Sequence, residues 1–172
     1  MKNYRPEIDG LRAIAVISVI IYHSYITFLD YKILPGGFLG VDIFFVISGY
    51  LIASIILNEI KEFNKFSFIN FYERRARRIL PALLLVIFSC LPVAYFILMP
   101  GEIIEFSYSL ISSLAFISNI FFYYAGLVYG AENTLLKPLL HTWSLSVEEQ
   151  FYLIFPILAI LIIKFAKKYF FH

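Results

Sequence analysis

Charge is scarce in this chain: Asp, Glu, Lys and Arg supply 15% of 172 residues, against 61% hydrophobic ones. A soluble domain of this length cannot bury so much apolar surface, and the mean hydropathy of +0.83 excludes the ordinary water-soluble classes. Cysteine is scarcer still. The single Cys90 excludes an intrachain disulfide and a thiolate metal cluster, and leaves the redox compartment open. No HExxH run occurs and the histidines are widely separated, so no metal site is expected. Also missing are a P-loop, a dinucleotide-binding glycine fingerprint, an internal repeat and a low-complexity linker. A net charge of +2 is too small and too local to suggest nucleic acid.

What the chain does have is long apolar runs. About 20 apolar residues cross a hydrocarbon layer. The segments Ala13 to Leu29, Gly36 to Leu57, Ile79 to Met99 and Phe106 to Val128 approach or exceed that length. A fifth, Phe151 to Ile163, lengthens if Leu145 onward is helical. The expected fold is an all-α polytopic membrane bundle of four to five apolar helices, with lipid as the first partner. A cleaved secretory signal is the weaker reading of the first segment, because further spans follow and no small-residue cleavage site stands out after Leu29.

Loop charges give an orientation. Residues 1 to 12 carry Lys2, Arg5 and Arg12 against Glu7 and Asp9, and residues 58 to 78 carry six bases against three acids. The positive-inside rule puts both in the cytoplasm, N-terminus included. Asp30, Lys32 and Asp42 suit the other side. Both flanks of the fourth segment look external, with Glu102 and Glu105 before it and Glu132, Glu148 and Glu149 against Lys137 after it. Lys164, Lys167 and Lys168 look cytoplasmic again. A fourth segment that spans breaks this pattern and one that re-enters keeps it. Its serines Ser107, Ser109, Ser112, Ser113 and Ser118, with Asn119, suit a broken backbone covered by protein.

Ionisable side chains within greasy segments are the functional candidates. Arg12 and His23 are eleven positions apart, which on one helix leaves them roughly 20° out of line and about 16 Å apart along the axis. The histidine is expected in the middle or outer half of the membrane. A neutral imidazole can take a proton from a hydroxyl; the bland alternative is a structural histidine with one hydrogen bond. Asp42 either orients His23 or sits at an interface. Arg74, Arg75, Arg77 and Arg78 precede the third apolar run, where they either fix topology against lipid phosphate or grip a phosphorylated ligand with guanidinium forks.

HTWSLSVEEQFY, residues 141 to 152, sets an imidazole, an indole, hydroxyls and two carboxylates before the last apolar run. Trp143 and Tyr152 fit an interfacial aromatic belt. Glu148 and Glu149 are neighbours, hence about 100° apart on a helix: one can face a ligand while the other supports structure.

As a set, RPEIDGLRAIAVISVIIYH (5 to 23), GVDIFFVISGYLI (40 to 52), RRARRILPA (74 to 82) and LLHTWSLSVEEQFYLIFP (139 to 156) resemble the membrane-bound acyltransferase-3 family. The resemblance implies an acyl-CoA donor, usually acetyl-CoA, rather than a tightly bound cofactor. It also implies a carbohydrate or lipid-linked saccharide acceptor. It places the family's arginine and histidine on Arg12 and His23, its cytoplasmic arginine motif on Arg74, Arg75 and Arg78, and its external glutamate motif on Glu148 and Glu149. Arg77 is then an added charge. The family domain has about ten crossings, so this chain resembles its N-terminal half, with the other half as an expected partner. Two other readings stay open: a transporter segment for a lipid-linked or acylated saccharide, and a noncatalytic membrane assembly module.

Overall fold

A computed structural model describes residues 5–24, 26–28, 31–127 and 137–170, without the side chains of 28 and 166–170. Lys2, Asp30, Glu132, the end of the fourth segment at Val128, and the side chains of Lys167 and Lys168 lie outside the described residues. Among the described residues are six α-helices and one pair of two-residue strands, and the chain forms two compact units, Met1–Glu62 and Phe63–His172.

In the first unit, α1 (Pro6–His23) starts on a proline, whose missing N–H costs nothing at a helix start, and sets Glu7 and Asp9 in its positive first turn. It stops at His23, earlier than the apolar run to Leu29 suggests. Ser24 closes it by donating its backbone N–H to the Ile20 carbonyl. Thr27 and Phe28 (β1) then pair antiparallel with Lys32 and Tyr31 (β2). A 3-10 turn at Gly37–Leu39 leads into α2 (Gly40–Phe63).

Two glycines dock this turn against α1. A Cβ on Gly37 would come 2.3 Å from the Ser18 carbonyl oxygen, and one on Gly40 would come 2.4 Å from that of Ala15. Only hydrogen fits at either place, and small residues at such spacing let helix backbones touch. Farther along, Arg5 donates to the Tyr50 hydroxyl at 2.5 Å. Later residues of α2 thus meet earlier residues of α1, and the two run antiparallel.

In the second unit, α3 (Phe68–Ile97) is capped by Ser67, whose hydroxyl accepts from the Asn70 N–H, and carries Pro81 and Pro92 within it. Pro100 opens α4 (Pro100–Leu114), where the Glu102 carboxylate turns back to accept the Met99 N–H at 2.6 Å. α5 (Ser118–Leu127) and α6 (Thr142–Phe170) complete the unit. Ala94, Phe106, Phe122 and Leu139 draw α3, α4, α5 and the approach to α6 onto one apolar cluster.

Among the described residues three helical stretches are long and apolar enough to cross a membrane, Gly37–Phe63, Phe68–Ile97 and Thr142–Phe165, rather than four or five. α1 drops out because Glu7, Asp9 and Arg12 fill its first two turns. The fourth segment drops out because it breaks: α4 ends at Leu114, and Phe116 takes a left-handed backbone, φ 53°. Ile117 N–H bonds the Ser112 carbonyl at 2.9 Å and Phe116 N–H that of Ser113 at 3.2 Å, the paired bonds of a left-handed helix stop. The fifth segment gains length as expected, since α6 begins at Thr142. Large apolar side chains such as Val46, Leu85, Phe88 and Ile162 face outward, as lipid contact requires.

Candidate active site

His23 is the last residue of α1. Its Nδ1 lies 2.9 Å from the Val19 carbonyl oxygen. A carbonyl can only accept, so Nδ1 carries the proton and a neutral ring presents Nε2 as its free base. The Tyr22 ring meets the imidazole edge-on at 5.0 Å between centroids and also carries the Lys32 ammonium 5.3 Å from its own centroid. Arg12, two turns into α1, lies 3.7 Å from Asp9. The helix keeps Arg12 and His23 near one face, about 16 Å apart along the axis.

Asp42 does not join them. It sits exposed in the first turn of α2, where the helix dipole favours a carboxylate. The antiparallel run of α2 carries it past Gly40, away from the His23 end of α1. Among the described residues no hydrogen bond or ion pair links Asp42 to His23.

The four arginines of α3 separate into distinct environments. Arg77 closes on Glu73 one turn back, with Nε at 3.0 Å and a terminal nitrogen at 2.8 Å from one carboxylate oxygen; it is a helix-surface pair. Arg74 and Arg78, four apart, are exposed on one face. Arg75 turns toward α6. Its guanidinium lies 4.6 Å from the Tyr152 ring centroid and 5.7 Å from that of Phe71, and within electrostatic reach of Glu148 and Glu149.

That contact corrects the expectation of arginines and carboxylates at opposite mouths. α3 and α6 run antiparallel, with Ala94 near Leu139 at one end and the Tyr72 hydroxyl donating to the Leu153 carbonyl at 2.9 Å farther along. Pro156, buried inside α6, has no N–H to offer the Tyr152 carbonyl four residues before it; Tyr72 bonds the next carbonyl, that of Leu153. Glu148 and Glu149 therefore lie two turns inside α6, alongside the arginine turn of α3. They differ from each other. Glu148 accepts the Tyr152 hydroxyl, whereas Glu149 Oε1 is buried without a hydrogen-bond partner among the described residues.

Hydroxyls fix this part of α6 in place. Thr142 Oγ1 lies 2.8 Å from Ser113 Oγ and donates to Ser118 Oγ at 2.9 Å, and Ser118 Oγ lies 2.7 Å from Ser146 Oγ. All four residues are buried. One helical turn on, Asn119 and Gln150 exchange amide hydrogen bonds of 3.2 and 3.0 Å, and Gln150 also donates to the Phe116 carbonyl at 2.9 Å. Sequence reasoning assigned no partners to Thr142, Ser146 and Gln150. The available signal was two hydroxyl-bearing segments in one lipid-facing chain, each needing the other to satisfy its polar groups. Tyr152, read as interfacial, is buried between Arg75 and Glu148, while Trp143 stays exposed.

The helical membrane protein in view has an imidazole at one helix end in its first unit and, in its second, an arginine within electrostatic reach of two carboxylates on a neighbouring span. The chain belongs to the acyltransferase domain family, whose profile matches residues 5–172. It is 42% identical over 166 residues to a putative O-acetyltransferase of Staphylococcus aureus strain MSSA476, covering 96% of this chain and 26% of that protein. It is also 42% identical over 156 residues to the O-acetyltransferase OatA of S. aureus strain NCTC 8325, covering 90% and 24% respectively. The chain thus spans about a quarter of the length of these curated relatives. No solved structure matches it.

Proposed function

We propose that the chain works in a multi-pass O-acyltransferase of the bacterial cytoplasmic (inner) membrane, N-terminus inside, moving an acetyl group from acetyl-CoA to a hydroxyl of an envelope carbohydrate. The observation that carries the reading is His23. It ends a family-matching stretch with Nδ1 bonded to Val19 and Nε2 left to accept a proton. Names of the relatives supply the transferred group, acetyl, and the acceptor atom, oxygen.

In this reading the acceptor hydroxyl gives its proton to His23 Nε2 as its oxygen attacks the thioester carbonyl. The C–S bond breaks, and the imidazolium returns the proton to the departing CoA thiolate, restoring neutral His23. Arg12, about 16 Å from His23 along α1, offsets negative charge of the donor nearer the cytoplasmic mouth. Arg74 and Arg78 hold CoA phosphates from their shared face. Glu149, whose buried oxygen has no donor among the described residues, is the carboxylate that meets substrate, and Glu148 supports it.

A chimera tests this. This chain replaces the aligned quarter of a staphylococcal relative, and alkali-labile acetyl esters on envelope carbohydrate are measured in a strain lacking that enzyme. His23→Ala is expected to leave the membrane protein level unchanged and abolish the esters. Full acetylation with His23→Ala overturns the assignment.

A further inference from the structure

We infer that Tyr152 is a positioning residue that clamps α6 to α3, carrying the Arg75 guanidinium on its ring and Glu148 at its hydroxyl, and thereby withdraws Arg75 from the phosphate-binding arginines. The clamp stands on geometry alone; the reassignment of Arg75 rests on the acyl-CoA reading above.

Both faces of the argument are chemical. A guanidinium 4.6 Å from one ring centroid and 5.7 Å from another sits within cation–π range of both, and the 3% exposure of Tyr152 removes the water that would weaken the contact. The same tyrosine donates to Glu148 one turn back. A single side chain therefore links a cation on α3 to an anion on α6. Tyr72, three positions before Arg75, adds its bond to the Leu153 carbonyl at the same level, so the two helices meet along adjoining turns.

Electrostatics then divides the arginines. A CoA phosphate approaching Arg75 would meet Glu148 and Glu149, both within that cation's reach, and like charges at such range repel. Arg74 and Arg78 stand exposed one helical turn apart, the spacing of a two-pronged phosphate grip. Of the expected set, these two are the phosphate ligands and Arg75 is their structural neighbour.

Double-mutant cycles on the purified chain in detergent test the clamp. Tyr152→Leu and Arg75→Met are each expected to lower the melting temperature, and Arg75→Met to add little in the Tyr152→Leu background. Tyr152→Phe keeps the ring, so Arg75 should stay coupled while Glu148→Gln loses its effect. Additive losses in both cycles overturn the clamp. If Arg75→Met fails to insert, Arg75→Gln takes its place in the same cycles, with the same criteria. A second arm measures radiolabelled acetyl-CoA binding in proteoliposomes. Arg78→Lys is expected to weaken it by about fivefold or more and Arg75→Lys by less than about twofold. Equal losses overturn the reassignment. No acetyl-CoA binding by the unaltered chain counts against the acyl-CoA reading, and the melting cycles still decide the clamp.

Discussion

Gln150 donates its side-chain amide to the carbonyl of Phe116, 34 positions earlier, at 2.9 Å. Phe116 holds the left-handed backbone that breaks α4 from α5, a conformation that favours glycine over a bulky side chain. The amide of α6 thus holds a turn that its own residue disfavours. Gln150→Leu leaves that carbonyl and Asn119 without partners, and is expected to cost about 1–3 kcal/mol. Thermal melting in detergent checks it; an unshifted transition denies Gln150 this role.

Thr142 stands between Ser113 and Ser118 in the buried hydroxyl chain. Thr142→Val keeps the shape and removes the bridge, for an expected loss of roughly 0.6–2 kcal/mol. Ser113→Ala should then cost less in the Thr142→Val background than alone. Equal costs in both backgrounds would mean the hydroxyls act independently.

Gly40 and Gly10 make a matched pair of tests. An added Cβ at Gly40 strikes the Ala15 carbonyl at 2.4 Å, whereas at Gly10, inside α1, nothing lies within 4 Å. Gly40→Ala is expected to loosen α1 at a cost of about 1–3 kcal/mol. Gly10→Ala should instead stabilise by roughly 0.5–1 kcal/mol through helix propensity. Limited proteolysis of the first unit reads both, and equal protection in the two variants contradicts the docking geometry.

Lys137 and Glu105 pair at 2.7 Å, with the lysine side chain 11% exposed and the carboxylate 54%. The half-open carboxylate limits the pair to about 1 kcal/mol or less, weaker at high salt. Lys137→Glu should destabilise, and the charge swap with Glu105→Lys should recover most of the loss. A swap no better than the single change would show the pair to be incidental.

Helices were legible in the long apolar runs of α2 and α3, where composition dictates burial in lipid, but not in the equally long run from Phe106, which breaks at Phe116. Their ends were less so. The stop at His23 depends on a carbonyl bond from Ser24, and the break at Phe116 depends on α6, neither of which periodicity records. The serines of the fourth segment signalled broken backbone correctly, yet not which residues would answer them. Loop charge set Glu148 and Glu149 apart from the arginines because it counts residues along the chain, while the antiparallel packing of α3 and α6 brings Arg75 beside them. What distinguishes the two carboxylates is Tyr152, which donates to Glu148, a pairing visible only in three dimensions.

The turn at Phe116 has a consequence for how the protein is made. Its carbonyl and the hydroxyls of Ser113 and Ser118 are answered by residues 142 to 150, which a ribosome adding about 5–20 residues per second delivers some seconds later. During that interval Ser113 can already donate to the Ser109 carbonyl, but the Phe116 carbonyl lacks the Gln150 amide and the Ser118 hydroxyl lacks Ser146. Delivery into the bilayer therefore waits on the last long helix, and a ribosome stalled before that helix should leave the pair on the aqueous side.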